Sequence, residues 1–358
     1  MDRKKGTMDY TLLILVVILI VFGLTVLLST SAYNGQVKFS DPASYFKKQF
    51  FATILGVVAM YVVAEMDYHD LEKWAGAAYL LSLVLSTLVL FVGASINGSR
   101  RWLSLGPLSF QPSEFAKTAV ILFLARTISR REKKKKGMLE LFRTLVLILP
   151  IVGLVGTSNL STAVIILGIA VILVFVSSPF YLPFVGLFGA GAGFMGIFLG
   201  LESYRLERIA IWRDPESYEK GFQTIQGLYA IGSGGLFGTG LGGSIQKLGF
   251  VPEAQNDMIF SIICEELGLV GAGILLLLFL VLIWRFFLVS VHAPDLLGSL
   301  IAAGVMGHIS IQVILNVAVV TNTIPNTGIT LPFVSYGGTS ILFLLAEMGL
   351  VLGISRKC

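Results

Sequence analysis

Four carboxylates, Glu253, Asp257, Glu265 and Glu266, stand in the stretch "GFVPEAQNDMIFSIICEELG" (residues 249–268), immediately before a long apolar run. No Lys or Arg lies among them, although a charge near hydrocarbon costs roughly 2.5–3.5 kcal/mol at the centre of a span. Pro252 interrupts helix, and "EAQND" reads as the first turn of the helix that follows. Asp257 is then placed either to cap that helix or to act as a carboxylate base in a water-filled cleft. Glu265 and Glu266 come eight and nine residues later, about 12–13 Å along a helix, and read as structural or interfacial. A second group is "QPSEFAK", where Glu114 and Lys117 share one helix face at i,i+3, beside a helix start at Pro112. Their bland role is an ion pair that anchors the helix. A third group is cationic: Arg100 and Arg101 before Trp102, then Arg205, Arg208, Arg213 and Lys247. These are either solvated loop charges or donors for a phosphate-like group, for which the guanidinium fork is suited.

Other chemistries are missing from the pattern. His69, His292 and His308 are scattered along the chain, and no Ser–His–Asp set, zinc spacing, Walker loop or dinucleotide fingerprint occurs. Cys264 and Cys358 are the only cysteines, and are expected at opposite membrane faces, so no disulfide is expected. Residues alone leave two classes open: a transporter of an anion or lipid, and an enzyme for a lipid-linked anionic substrate.

The elements that must position these groups are membrane spans. Hydrophobic residues make up 55% of the 358 and charged ones 13%, with a mean hydropathy of +0.86; a soluble domain is nearer 25% charged. The expected fold is all-α and polytopic, a single integral-membrane domain over 1–358 with about ten spans. They are placed near 10–30, 48–65, 76–96, 110–128, 141–157, 160–178, 181–201, 262–288, 297–321 and 338–354. The first is read as a retained span, because its apolar run exceeds a signal peptide's. The fifth and sixth form a tight hairpin across "TSNLS".

Orientation follows the basic residues. The net charge of +5 has its largest part in one loop, with eight basic residues from Arg126 to Arg143. That loop reads as cytoplasmic, either simply solvated or in contact with anionic lipid heads, and calls for no nucleic acid. Both termini are then expected inside, and the loop 202–256 between spans seven and eight outside. Its segment "SGGLFGTGLGGS" reads as close-packed backbone in preference to a linker.

Three segments, in order, resemble one family. "NGSRRWLSLGPLSFQPSEFAK", "GFVPEAQNDMIFSIICEELG" and "TGITLPFVSYGGTS" are similar to the signatures of the SEDS proteins (shape, elongation, division and sporulation). The similarity covers essentially the whole chain, and "GLGGSIQKLGFVPEAQND" resembles the division and sporulation branch (FtsW and SpoVE types) more than the RodA type. The resemblance implies a peptidoglycan glycosyltransferase that polymerises lipid II at the outer face of the bacterial cytoplasmic membrane. It implies a class B penicillin-binding protein and other division or sporulation proteins as partners. It places the family's essential acid on Asp257, its polar pair on Glu114 and Lys117, and its Arg-Trp pair on Arg101 and Trp102. Glu253, Lys247 and Ser335 are expected to support the site, with Glu253 and Asp257 nearest any Mg²⁺ or Mn²⁺ cofactor. Two departures stand out: Met258 follows the essential acid where many members have an aromatic, and Asn159 stands where many carry an acid. A lipid II flippase and a non-catalytic divisome scaffold are the rival classes.

Overall fold

Apolar segments in a medium without water must satisfy their own backbone N–H and C=O groups, which helices do internally. The computed structural model describes residues 7–96, 99–105, 108–131, 143–178 and 203–358. It contains α1 (Tyr10–Phe39), α2 (Ser44–Glu65), α3 (Tyr68–Val92), α4 (Pro112–Arg131), α5 (Leu149–Ser158) and α6 (Leu160–Ser177). After these come α7 (Ser203–Arg213), α8 (Phe222–Ser233), α9 (Ile259–His292), α10 (Leu296–Val320) and α11 (Gly338–Ser355). Among the described residues, seven helices are long and apolar enough to cross a bilayer: α1, α2, α3, α6, α9, α10 and α11. The protein is a multi-pass membrane protein of helical class. The expected span 181–201 lies outside the described residues.

Nine of the expected spans fall on helices, with instructive differences at their ends. α5 is only ten residues long; Pro150 near its start has no N–H to continue a helix from the preceding turn. The hairpin between α5 and α6 is tighter than its sequence implies, since Asn159 alone separates them and accepts from Thr162 N at 3.2 Å. The segment 94–110 adds a small sheet to the helices. Strands β1 (Ala94–Ile96), β2 (Ser99–Leu105) and β3 (Leu108–Phe110) pair antiparallel in that order, with Ser95 opposite Arg100 and Leu103 opposite Phe110.

α10 and α11 hold the middle of the core and bury most of their residues, whereas α2 and α3 turn most of theirs outward. The outward side chains are apolar: Val58, Leu80, Val84, Leu277 and Leu280 among them. Such a belt is the expected lipid contact of a bundle. Aspartates cap three helix starts at the end carrying the chain termini: Asp9 accepts from Leu12 N, Asp67 from His69 N and Asp295 from Gly298 N, at 2.8–3.0 Å. Arg285–Asp9, Arg356–Glu65 and Lys357–Asp67, each 2.6 Å, tie the same end together.

Candidate functional site

The opposite end of the bundle holds the turn 251–258, which runs into α9. Glu253 adopts φ 55°, and Asn256 N donates to Glu253 O at 2.9 Å. A left-handed conformation costs a residue with a side chain roughly 1–3 kcal/mol, and such strain gathers at functional sites. Asn256 Nδ2 also donates to the Glu253 carboxylate. Asp257 follows, only 8% exposed. The capping reading of Asp257 does not describe this geometry: Met258 occupies the N-cap position of α9, and no side chain caps it. Gln223 Nε2, from α8, donates to the carboxylate at 3.4 and 3.5 Å, and the backbone N–H groups of Asp257 and Met258 also favour its charged form. Burial, and then the negative charge of Glu253, push Asp257 up to about 7, from an ordinary value of 3.8. A carboxyl so placed is poised to exchange a proton near neutrality.

Two further segments fix the position of this turn. Asn316 of α10 donates through Nδ2 to both Asp257 O (2.9 Å) and Ile329 O (2.7 Å). Gly328 takes φ +70°, so the chain passes beside the acid; a Cβ there would lie 4.0 Å from Asp257 Oδ2. Ser335 is buried, accepting from Leu331 N (2.8 Å) and donating to Asn256 O (2.7 Å), while Tyr336 N donates to Gln255 O (2.9 Å). Ser335 therefore supports the turn through its backbone. From α1, Asn34 Nδ2 donates to Gln255 Oε1 at 2.8 Å, made possible because α1 continues to Phe39 beyond the expected 10–30.

Below the turn lies a buried polar chain. Glu114 and Lys117 form their ion pair at 3.1 Å, and Lys117 Nζ donates to Gln312 Oε1 at 3.1 Å. His308 bridges Gln312 Oε1 (Nε2, 2.9 Å) and Glu347 Oε2 (Nδ1, 2.7 Å), and Thr118 Oγ1 donates to Glu347 Oε1. An ammonium can only donate, so Gln312 must turn its oxygen to Lys117; His308 Nε2 must then carry hydrogen. One proton consequently lies between His308 Nδ1 and Glu347, on either atom. Gln312 Nε2 donates to Thr330 O at 3.0 Å, which ties the chain to the segment beside Asp257. Sequence reasoning found Glu114 and Lys117 and missed Gln223, His308, Gln312, Asn316 and Glu347. The available signal was "HISIQVILN", with three polar residues at i,i+4 in an apolar span.

The remaining candidates separate from Asp257. Lys247 is buried, with Nζ 2.6 Å from Glu266 Oε1 and 2.7 Å from Ser29 Oγ of α1. Glu265 takes Ser244 Oγ and the N–H groups of Ile245 and Gln246. Both glutamates, expected to be structural or interfacial, are buried and held by these bonds within the fold. Arg101 Nε donates to Ser158 O at 2.7 Å and lines a small crevice with Ser86, Pro112, Ser113 and Ser158. Trp102, half-buried, follows it in β2. Arg100 Nη1 donates to Leu90 O (3.0 Å), and Arg208 Nη1 donates to Asn326 O (3.0 Å); Arg213 is exposed, and the Arg205 side chain lies outside the described residues. Cys264 and Cys358 are unpaired.

A multi-pass helical bundle with an acidic turn braced by glycine- and amide-bearing segments at one end defines a class of membrane protein with a polar site at its rim. Residues 10–358 match the family described as "Cell cycle protein", that of FtsW, RodA and SpoVE, and the chain belongs to this family. Stage V sporulation protein E of Bacillus subtilis (strain 168) is 40% identical, over 99% of each chain. A probable peptidoglycan glycosyltransferase FtsW of Geobacter sp. (strain M18) is 34% identical, over 100% of this chain and 99% of its own. A solved chain described under "Structural coordination of polymerization and crosslinking by a peptidoglycan synthase complex" superposes with a TM-score of 0.83 at 31% identity, covering 98% of each. The crystal structure of Thermus thermophilus rod shape determining protein RodA gives 0.73 at 31% identity, over 98% of this chain and 97% of that one.

Proposed function

We propose that this protein is a peptidoglycan glycosyltransferase of division or sporulation, which polymerises lipid II with Asp257 as general base. The observation that carries the reading is the state of Asp257: buried, raised to about 7 by burial and by Glu253, with a long amide contact from Gln223 and the nearby backbone N–H groups too weak to offset them. The Asp257 end faces the outside of the cytoplasmic membrane, and the end carrying Asp9, Arg126 and Arg356 faces inside.

In the reaction, the Asp257 carboxylate takes the proton of the 4-hydroxyl on the acceptor N-acetylglucosamine. That oxygen forms a bond to the anomeric carbon of the lipid-linked N-acetylmuramic acid. The bond from this carbon to the diphosphate breaks, undecaprenyl diphosphate leaves with the electron pair, and the α-linked donor becomes a β-linked product. A single displacement needs one base on the attacking side, worth about 10²–10⁴-fold. Glu253 keeps Asp257 basic through its charge, and Asn316 fixes the backbone that carries it.

The donor set near Asp257 is all oxygen and fits Mg²⁺ or Mn²⁺. Glu253 and Asp257 would hold the ion, and Asn256 Oδ1 is a buried oxygen with no hydrogen-bond partner. Among the described residues, no group of three His, Cys, Asp or Glu gathers for a metal, so the substrate diphosphate would complete the shell. The ion would neutralise charge on the leaving diphosphate. A class B penicillin-binding protein is the expected partner, supported by the likeness to the synthase-complex chain.

The test is lipid II polymerisation by purified protein, with and without the cognate transpeptidase. Asp257→Asn is expected to lose at least about 10²-fold while still binding the transpeptidase. Polymerisation that survives the substitution refutes the base. Lipid II translocation in liposomes that ignores Asp257 would support the flippase instead.

A further inference from the structure

The region between α7 and α9 divides sharply by charge. From Arg213 to Lys220 the exposed side chains include Arg213, Asp214, Glu216, Glu219 and Lys220. From Gly221 to Pro252 the only charged residue is Lys247, and it is buried against Glu266. Within this uncharged stretch Leu236, Phe237, Leu241, Ile245, Leu248 and Phe250 are all exposed, Phe237 by 79%.

The backbone of this stretch is matched to a break in a span. α9 is interrupted at Gly268, which takes φ 69° and ψ −172°; a Cβ there would meet Leu236 O and Gly238 N at 2.4 Å. The groups freed by the break are taken up reciprocally. Leu269 N donates to Gly235 O (2.9 Å) and Val270 N to Leu236 O (3.1 Å), while Thr239 N and Gly240 N donate to Glu265 O and Glu266 O (each 2.9 Å). Irregular backbone at membrane depth is tolerated only where protein covers it or water reaches it; these bonds cover part of the loop's backbone with α9, so that it is the apolar side chains that are left facing outward. The buried Glu265 carboxylate and the Lys247–Glu266 pair hold the loop from beneath.

Depth follows from α9 itself. Arg285 pairs with Asp9 at the terminal end, and the 17 residues from Gly268 to Arg285 rise about 26 Å. The hydrocarbon core is about 30 Å thick, so a loop joined at Gly268 lies at its far edge. The loop is continuous there with the outward apolar residues Leu269, Val270 and Ile274 of α9.

We infer that residues 234–250 form a membrane-inserted loop, whose exposed Leu, Ile and Phe side chains lie among the acyl chains of the leaflet at the Asp257 end. The occupant of this apolar face is bulk lipid. The loop joins the turn 251–258 directly, and so sets the height of Asp257 above the hydrocarbon. The inference rests on the membrane assignment and stands apart from the proposed reaction.

Nitroxide labels on the full chain in liposomes test it. Phe237→Cys, Ile245→Cys and Glu219→Cys would each be made with Cys264→Ala and Cys358→Ser. At Phe237 and Ile245 the ratio of collisions with oxygen to collisions with a water-soluble nickel chelate is expected to exceed that at Glu219 several-fold. Chelate access equal to that at Glu219 overturns the inference and makes the loop aqueous. Protection from both reagents also overturns it, by showing a protein-covered face.

Discussion

Glu265 and Glu266 differ from Glu253 and Asp257 less in sequence than in company. The first pair is saturated: Glu265 gathers a hydroxyl and two backbone N–H groups, and Glu266 holds Lys247 and Ser29. Asp257, also buried, has no cation beside it among the described residues, and Glu253 adds a second negative charge to its surroundings. Buried carboxylates normally gather donors until their charge is compensated. Asp257 gathers too few to offset its burial, so the fold penalises its charged state, and that is where proton transfer can be driven. The same twenty-residue motif thus contains a brace and, on the proposed reading, a reactive group.

The contrast is broken most forcefully by exchanging the fates of the two kinds of acid. Asp257→Asn should lower polymerisation at least about 10²-fold yet leave thermal stability unchanged or higher, because a charge that burial penalises is removed. Glu266→Gln should do the reverse. It leaves Lys247 buried and uncompensated, at a cost of about 3–5 kcal/mol, visible as a marked drop in the melting temperature in detergent. If Asp257→Asn proves the less stable variant, the two acids are not different in kind. A smaller effect is expected from Asn316→Ala. Loss of its bonds to Asp257 O and Ile329 O should lower kcat about tenfold, through misplacement of the base, with little change in KM. An equal fall for an Ala substitution at Gln312 would show a general loosening in place of a positioning role.

The smallest effect concerns pH. A base works only when deprotonated, so kcat/KM should rise with pH through an acid limb near 7, the value to which Asp257 is raised. The shift has a consistent sign for stability: the folded carboxyl has a raised pKa, so ionising it disfavours the fold as pH climbs from the ordinary value toward 7. Glu253→Gln removes the like charge and should move the limb to lower pH, leaving the part due to burial. A limb that stays in place would mean that Glu253 does not act through its charge.

Much of this arrangement is legible in the sequence, and the parts that are not share one cause. Spans, the Glu114–Lys117 pair and the structural character of Glu265 and Glu266 follow from local composition and spacing. Partners supplied from hundreds of residues away do not. Lys247 reads as an exposed loop cation available to substrate, because nothing near it in sequence announces that Ser29 and Glu266 enclose it. The same holds for Asn34 on Gln255 and for Glu347 on His308. The break at Gly268 is hidden for another reason: "EELGLVGAG" has the composition of a continuous span, and only the backbone of 235–240 reveals where the helix is cut. The Arg205 side chain and the span at 181–201 fall outside the described residues.

The hairpin of α5 and α6 has one further consequence. Asn159 ends the first helix and begins the second, so the carbonyl-rich, negative pole of α5 and the N–H-rich, positive pole of α6 adjoin at one residue. Arg101 binds the negative pole through Ser158 O, and the Asn159 amide caps the positive pole without adding charge. An acid at this position would cap equally well but subtract one unit of charge from the tip. With asparagine, the local potential beside the guanidinium is more positive, which is the condition that draws an anion toward a membrane surface.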